Sequence, residues 1–339
     1  MSDSSNHRNQ FLDGQFPSPF EPGTGLISAG TGRLKQIWAI GGGKGGVGKS
    51  LISSSLAVAL AKAGKKVIAI DLDLGGANLH TTLGVELPRQ TLGDFFSGRV
   101  SELSQCSCLT GIQNLELISG AQDSTRIANI SDTEKHRFLI AVRNLDCDYV
   151  IFDLGAGTAN YTLDFFLASE INLITMLPEP TSIENAYRFI KSAYYKRLQA
   201  IGELSPIHDL IEVTMDAKNI QGIRSPSDLF RIVNRDFPHL ASRLKEEIEK
   251  FKPKLIINQV RTHSDIEIGH SVKTVCKKYF GIDIDYLGYL DYDSSVWQAI
   301  RRKRPAFLEF PNSKLTQSVE RITDNLLRRY ASERSSLHP

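Results

Sequence analysis

The sequence predicts an α/β fold, with a doubly wound, mostly parallel sheet and a helical insertion. Short apolar runs that each fit one buried strand alternate with stretches of helical periodicity, which favours parallel strands joined by helices. A glycine-rich loop joins the first run to the first helix and carries the most specific signal in the chain. In chain order, the predicted strands are 37–40, 67–71, 115–120, 148–153, 171–176, 254–260 and 284–290.

The glycine-rich loop covers residues 41–50, between the apolar run 37–40 and a helix predicted from Leu51 to Ala63. Its G-x4-G-K-S spacing, in a strand–loop–helix context, is that of a phosphate-binding P-loop. Glycines let backbone N–H groups cradle phosphate oxygens, and the helix N-terminus adds positive partial charge. A plain glycine-rich turn is the alternative. The predicted nucleotide-binding residues are Gly43, Lys44, Gly45, Gly46, Val47, Gly48, Lys49, Ser50 and Leu51.

Two side chains of this loop have predicted roles in phosphoryl transfer. Lys49 is expected to reach the β- and γ-phosphates, and Ser50 is expected to ligate Mg²⁺. Together with the loop context, they predict a P-loop NTPase fold.

Lys44 makes the loop more specific, because most P-loops have no lysine there. The run Lys-Gly-Gly-Val-Gly-Lys-Ser resembles the deviant Walker A loop of the MinD/ParA family. The resemblance implies ATP as nucleotide, Mg²⁺ as metal and a homodimer that forms on ATP binding. It also implies that Lys44 reaches the partner's nucleotide and acts catalytically, as an arginine finger supplied in trans does. A solvated loop charge is the alternative for Lys44.

Two carboxylates alternate at the end of the second predicted strand, in the run Asp-Leu-Asp-Leu-Gly-Gly-Ala-Asn over residues 71–78. In the fold that this chain resembles, the carboxyl ends of the strands line the nucleotide crevice. The resemblance implies that Asp73 orients the attacking water and accepts its proton. It assigns Asp71 to coupling with phosphate and Mg²⁺, and Asn78 to the switch element. An ordinary turn after a strand is the alternative.

Asp153 ends the apolar run 148–153, as a Walker B aspartate does, and is expected to hold Mg²⁺ through water. The following residues 154–158 fit a switch loop in which the Gly157 N–H senses the γ-phosphate. Gly155 stands where the family commonly has proline, so the chain departs from the family pattern at this point.

The base site is assigned by resemblance to two residues near the ends of later strands. Asn258 matches the asparagine that reads the adenine edge. Tyr292 replaces a proline of the loop that packs on the base, and its ring is expected to stack there instead.

The predicted organisation along the chain has three parts. Residues 1–33 are rich in proline and glycine and are interpreted as a flexible leader. Residues 34–330 form the P-loop ATPase domain, and 331–339 form a polar tail. Residues 199–253 are longer than one crossover helix requires, which predicts an inserted helical subdomain carrying a partner surface. Crossover padding without a separate role is the alternative.

Composition excludes several classes of protein. Net charge is +2, so there is no global signal for a polyanion partner, and no apolar run approaches the length of a membrane span. Residues 1–30 are polar and resemble no signal peptide. The four cysteines form no C-x-x-C pair and predict a reducing, cytoplasmic setting.

Two segments, one cationic and one amphipathic, could contact a partner, but the sequence does not identify that partner. The run Arg-Arg-Lys-Arg at 301–304 would attract phospholipid, DNA or an acidic protein, and a solvated helix end is the alternative. In the last helix, apolar residues recur at helical spacing, and we expect them to pack on the sheet. The predicted location is therefore cytoplasmic, with peripheral contact at the inner membrane or non-specific DNA contact left open.

The combined motifs predict an ATP-dependent dimerisation switch with slow, partner-stimulated hydrolysis. The resemblance lies nearest the FlhG/FleN and MinD branch, which implies a regulator of the position or number of a structure such as flagella or the division site. An unidentified protein partner is expected. A regulator that docks a partner with little turnover is the alternative. An Mrp-type carrier is disfavoured because it needs a C-x-x-C, and a bacterial tyrosine kinase because it needs a tyrosine cluster.

Overall fold

The computed structural model describes residues 35–74, 76–120, 130–215 and 226–337, so the predicted leader 1–33 lies outside the described residues. Within these ranges the chain forms one eight-stranded sheet. Its strands are β1 Gln36–Gly41, β2 Val67–Leu72, β3 Ser107–Leu109, β4 Leu115–Ile118, β5 Tyr149–Leu154, β6 Ile171–Met176, β7 Lys254–Val260 and β8 Asp285–Asp291.

The strand order is β3-β4-β2-β5-β1-β6-β7-β8. Only the short edge strand β3 runs antiparallel, against β4, and the other pairings are parallel. This confirms the predicted mostly parallel sheet. The sequence did not predict β3.

The helices, numbered as they occur among the described residues, connect these strands. They are α1 Lys49–Lys62, α2 Leu79–Leu83, α3 Leu92–Phe96, α4 Asp132–Asn144, α5 Asn160–Leu167, α6 Pro180–Gln199, α7 His208–Met215, α8 Pro226–Asp236, α9 Pro238–Lys250, α10 His263–Val275, α11 Ser294–Arg301, α12 Ala306–Glu309 and α13 Lys314–Leu337. α1 begins at Lys49, two residues before the predicted start, because the glycine loop leads directly into its first turn.

Each face of the sheet carries its own apolar core. Alternate residues of β1 point to opposite faces, so Ile37 and Ala39 join one buried cluster while Trp38 and Ile40 join the other. The first cluster extends over α4, α5 and α6, and the second over α1 and α13. β1 therefore lies at the centre of a doubly wound fold, with helices packed on both of its faces.

The last helix packs on the sheet, as its periodicity predicted. Leu315, Val319, Ile322 and Leu326 are buried in the cluster that contains α1. The helix continues to Leu337, into the segment predicted as a polar tail. Among the described residues, we find no helix with the length and apolarity needed to cross a bilayer.

The segment predicted as an insertion is helical where the structure describes it. It contains a 3₁₀ helix, Gly202–Ile207, and helices α7, α8 and α9, while residues 216–225 lie outside the described ranges. Leu204, Leu229 and Leu244 are buried in the same core cluster as α6. The segment therefore shares the core of the sheet domain on this face.

A buried ion pair ties α9 to α6. The Arg197 Nη2 donates to Glu247 Oε2 at 2.9 Å, and the two side chains are only 7% and 5% exposed. Lys250 and Arg243 approach the other carboxylate oxygen of Glu247, at 3.1 and 3.4 Å. Removing one member of such a pair leaves a buried charge without its counter-charge.

We expect Glu247→Gln to lower the free energy of unfolding by about 3 kcal/mol or more, because Arg197 would remain charged and buried. Chemical denaturation monitored by circular dichroism measures this difference. Glu246→Gln is the matched control, since Glu246 pairs with the same Arg243 and Lys250 at the surface. Its expected loss is about 0.5 kcal/mol or less, and equal losses in the two variants would contradict the assignment.

Candidate functional site

The loop between β1 and α1 is packed so tightly that three of its glycines, Gly42, Gly43 and Gly48, leave no room for a side chain. A Cβ at Gly43 would lie 2.0 Å from the Asn185 carbonyl oxygen of α6. A Cβ at Gly48 would lie 2.1 Å from the Asn258 amide nitrogen, and Gly48 also has a φ of 91°. These constraints explain the glycines physically and hold the loop between α6 and the end of β7.

Lys49, the first residue of α1, is buried beneath the loop. Its Nζ lies 3.4 Å from the Lys44 carbonyl oxygen. Burial lowers the pKa of the Lys49 ammonium, and the nearby carboxylates of Asp153 and Asp73 oppose that shift. The cation is therefore weakly solvated and belongs to the first turn of α1, an arrangement suited to phosphate oxygens.

Asp71 and Asp153 lie side by side, because β2 and β5 pair with these two residues in register. Asp71 is fully buried, and its carboxylate accepts the backbone N–H groups of Asp73 at 3.0 Å and Leu79 at 2.9 Å. Asp153 Oδ1 accepts the hydroxyl of Ser53 at 2.9 Å, and Ser50 also hydrogen-bonds to this carboxylate. The structure therefore brings Ser50, Asp71 and Asp153 together, and their role as metal ligands stays a prediction.

Burial raises the pKa of both carboxyls, and their proximity adds to the effect at Asp71. The pKa of Asp71 rises to about 8 and that of Asp153 to about 6. Asp153 Oδ2 is buried without a hydrogen-bond partner. A divalent cation fits these oxygens, because it would neutralise two carboxylates that burial and mutual repulsion disfavour as ions. Bound Mg²⁺ would supply charge neutralisation at the transferring phosphoryl group.

These pKa values predict that the nucleotide-free protein loses stability as the pH rises. Both carboxyls hold protons in the folded chain at pH values where the unfolded chain has already released them. The free energy of unfolding should therefore fall between about pH 4 and pH 8. Thermal unfolding measured across this range without metal checks the direction.

Asp153→Asn should flatten that pH dependence and raise the melting temperature at pH 8 by about 3 °C, because the amide cannot repel Asp71. The variant should also lose stabilisation by Mg²⁺. Asp132→Asn is the control, since the Asp132 side chain is 98% exposed at the surface. If this control also flattened the pH dependence, the effect would not come from the buried carboxylates.

Asp73 lies at the exit of β2, less buried than Asp71. A Cβ at Gly155 would lie 3.4 Å from Asp73 Oδ1, an ordinary van der Waals distance, so Gly155 is close to this carboxylate without being required by space. The Gly157 N–H donates to the Gly42 carbonyl oxygen at 3.3 Å, which brings the predicted switch loop into contact with the P-loop.

Asn78, the other predicted switch residue, donates to the Gly76 carbonyl oxygen at 2.6 Å and so contacts its own loop.

Asn258 is buried and contacts the P-loop itself. Its Nδ2 donates to the Val47 carbonyl oxygen at 2.9 Å, and its Oδ1 accepts the Gln259 N–H at 2.9 Å. Both ends of the amide are thus engaged by backbone groups in this structure. A contact between Asn258 and adenine would need either the second N–H of the amide or loss of the hydrogen bond to Val47. That contact stays a prediction.

The exposed Tyr292 ring has a cationic neighbour, Arg261, that the sequence motifs did not predict. The Arg261 guanidinium lies 4.0 Å from the ring centroid, and the Tyr292 N–H donates to the Val260 carbonyl oxygen at 2.8 Å. Arg261 follows β7 and Tyr292 follows β8, so strand pairing brings them together. The position of Arg261 directly after a predicted strand could have indicated that it lies at the site.

The sequence motifs also did not predict the contact of Ser53 with Asp153, although Ser53 lies one helical turn after Ser50.

Lys44 lies at the rim of the loop, where its ammonium makes an exposed contact with the neighbouring helix. Its Nζ is 3.2 Å from the Thr181 hydroxyl, in the first turn of α6. The backbone carbonyl of Lys44 faces Lys49 while its side chain contacts the neighbouring helix. The structure therefore gathers Lys44, Lys49, Ser50, Asp71, Asp73 and Asp153 around one loop, with the Lys44 ammonium in contact with α6.

Sequence comparison gives a family match over most of the chain. Residues 38–306 match the model described as the CobQ/CobB/MinD/ParA nucleotide binding domain. Antiactivator FleN of Pseudomonas aeruginosa is 26% identical, over 86% of both chains. Flagellum site-determining protein YlxH of Helicobacter pylori is 35% identical, over 47% of this chain and 54% of that protein.

Structural comparison gives the same fold. MinD of Pyrococcus horikoshii, solved in complex with Mg-ADP, superposes with a TM-score of 0.59 at 20% identity. The match covers 86% of this chain and 96% of that chain. At this identity the likeness establishes the fold, a sheet and helices arranged as in MinD.

Proposed function

The chain belongs to the CobQ/CobB/MinD/ParA family of nucleotide-binding proteins, and on that basis we propose that it is an ATPase whose ATP-bound form dimerises. In this proposal ATP and Mg²⁺ close a two-chain sandwich, a partner protein stimulates slow hydrolysis, and the dimer then separates. ATP shifts the equilibrium between monomer and dimer through contacts to the nucleotide that only the dimer makes.

The placement of Lys44 is the observation that carries the proposal. Lys49 is already buried beside this loop, with its Nζ 3.4 Å from the Lys44 carbonyl oxygen, so a second cation is not needed there for binding. Lys44 instead lies at the rim with its ammonium on the side chain of Thr181. A cation at the rim suits a nucleotide on an apposed copy, where charge develops during transfer.

The proposed hydrolysis uses the remaining residues in distinct roles. Asp73 orients a water in line with the γ-phosphate and takes its proton, while the bond from the γ-phosphorus to the β,γ-bridging oxygen breaks. Lys49 and the Lys44 of the apposed copy stabilise the charge on the phosphoryl oxygens. Ser50, Asp71 and Asp153 would hold Mg²⁺. Loss of the γ-phosphate would release the Gly157 N–H and, with it, the switch residues that include Asn78.

The proposed base site lies at the ends of β7 and β8. Asn258 would hydrogen-bond the adenine edge, and the exposed ring of Tyr292 would stack on the base. The geometry adds Arg261, whose guanidinium already lies over that ring.

The proposed cellular role is to regulate the position or number of a structure, either flagella or the division site. The relatives named Antiactivator FleN and YlxH favour flagella. Because the relative FleN is named an antiactivator, we keep a second candidate function, a regulator that docks a partner protein with little ATP turnover. In both cases we place the protein in the cytoplasm, with a protein partner and peripheral contact at a membrane or with DNA.

Sedimentation velocity with Mg-ATP, with Mg-ADP and without nucleotide tests the switch. We expect a dimer with Mg-ATP and a monomer in the other two conditions. One oligomeric state under all three conditions would overturn the dimerisation switch. Steady-state phosphate release on the same samples separates the two candidates, because the docking regulator should show ATP-dependent dimers with almost no turnover.

A further inference from the structure

Exposed apolar side chains concentrate at one place among the described residues. Eight large apolar or aromatic side chains are exposed in the part of the chain that the structure describes, and four of these eight lie between residues 292 and 308. Trp297, on α11, is 62% exposed, and Ile300 lies one turn further along the same helix face. Leu308, on the adjacent α12, is exposed as well. Single exposed apolar residues are ordinary, but a cluster with a tryptophan indicates a contact surface.

The densest basic run of the chain lies at the same place. Arg301, Arg302, Lys303 and Arg304 are all exposed at the end of α11. The Arg301 guanidinium lies 4.6 Å from the Trp297 ring centroid. Glu309 pairs with Arg302 at 2.7 Å and with Arg304 at 3.4 Å, which leaves three positive charges in excess.

We propose that this basic–apolar surface docks on an anionic lipid bilayer. The surface is formed by Trp297, Ile300, Arg301, Arg302, Lys303, Arg304 and Leu308. Basic side chains would lie among the anionic headgroups, and the apolar ones would enter the interface, where tryptophan is favoured. The phosphates of duplex DNA would pair with the basic side chains. They contact polar groups, however, so Ile300 and Leu308 would stay exposed to water. The bilayer accounts for both halves of the surface.

Trp297 reports directly on this contact. The chain has two tryptophans, and the other, Trp38, is fully buried in the core, so a change caused by a surface ligand falls on Trp297. Vesicles that contain phosphatidylglycerol should shift the emission to shorter wavelength, and lipids brominated on their acyl chains should quench it. Pure phosphatidylcholine vesicles should do much less. Trp297→Phe should abolish both signals.

Charge variants test the basic half of the surface. Arg301→Ala combined with Lys303→Asn removes two charges, and asparagine tolerates the φ of 50° at position 303. We expect about 30-fold weaker binding to phosphatidylglycerol vesicles, from the usual contribution of each basic residue at an anionic surface. Lys277→Ala combined with Lys278→Ala is the matched control, because it removes two charges from another exposed segment and should change binding little.

Three outcomes would overturn the proposal. Vesicle binding without a Trp297 signal would place the contact on another segment. Tryptophan quenching by duplex DNA, with no response to brominated lipid, would assign the surface to nucleic acid. Self-association that the two-charge variant abolishes, without vesicle binding, would assign it to a second copy of the chain. Phosphate release measured without vesicles keeps these outcomes separate from a failure of the ATPase proposal.

Discussion

Lys44→Ala is expected to reduce ATP turnover by about a thousandfold while nucleotide affinity stays nearly unchanged. A cation supplied across an interface to the transferring phosphoryl group commonly contributes a factor of about 10³ to 10⁵. Affinity should survive because Lys49 is buried beside the phosphate cradle, whereas the Lys44 ammonium contacts Thr181 at the rim. Steady-state phosphate release at saturating ATP and a titration with a fluorescent nucleotide measure the two quantities.

Thr181→Val is the matched control for that variant. It removes the hydroxyl that Lys44 contacts within its own chain but leaves the lysine in place. If Lys44 acts on an apposed nucleotide, turnover should stay within about threefold of wild type, since a lost surface hydrogen bond is a small effect. Normal turnover in Lys44→Ala would show that Lys44 has no role in trans, and a thousandfold loss in Thr181→Val would show that turnover depends on the contact within one chain.

The parts of the site that the sequence could predict are those encoded by local patterns. The glycine spacing at residues 41–50 is contiguous, and the carboxylates at 71 and 153 end apolar runs. Because the carboxyl ends of parallel strands meet at one edge, such runs predict that the two carboxylates approach each other. The register of β2 and β5 places Asp71 beside Asp153, as that argument requires.

The parts that could not be predicted depend on contacts between distant residues. Asn258 bonds to Val47 across more than two hundred residues, and no local pattern distinguishes that contact from one with a base. The ion pair between Arg197 and Glu247 likewise depends on how α9 packs on α6. The edge strand β3 has only three residues and no alternation, so its pairing with β4 determines it.

Asp73→Ala is expected to lower turnover by about 10²- to 10⁴-fold while preserving ATP-dependent dimers, because a positioned proton acceptor contributes about that much. Asp73 is not among the fully buried carboxylates, so its loss should leave the fold intact. The variant should therefore accumulate as an ATP-bound dimer in sedimentation velocity. Asp324→Ala, a substitution at an exposed position of α13 that lies outside the proposed machinery, serves as the control. A monomeric Asp73→Ala protein would contradict the assigned role.

Mixing the two inactive proteins separates a two-chain active site from a one-chain site. In a mixed dimer, the nucleotide on the Lys44→Ala chain would have its own Asp73 and the lysine of the Asp73→Ala chain, so one site is complete. Random pairing in an equal mixture makes half of the dimers mixed, with one intact site each, and predicts about a quarter of wild-type turnover. If Lys44 served only its own nucleotide, neither chain would hold both groups, and the mixture would stay as inactive as its components. Recovery in the mixture therefore requires Lys44 and Asp73 to act on one nucleotide from different chains.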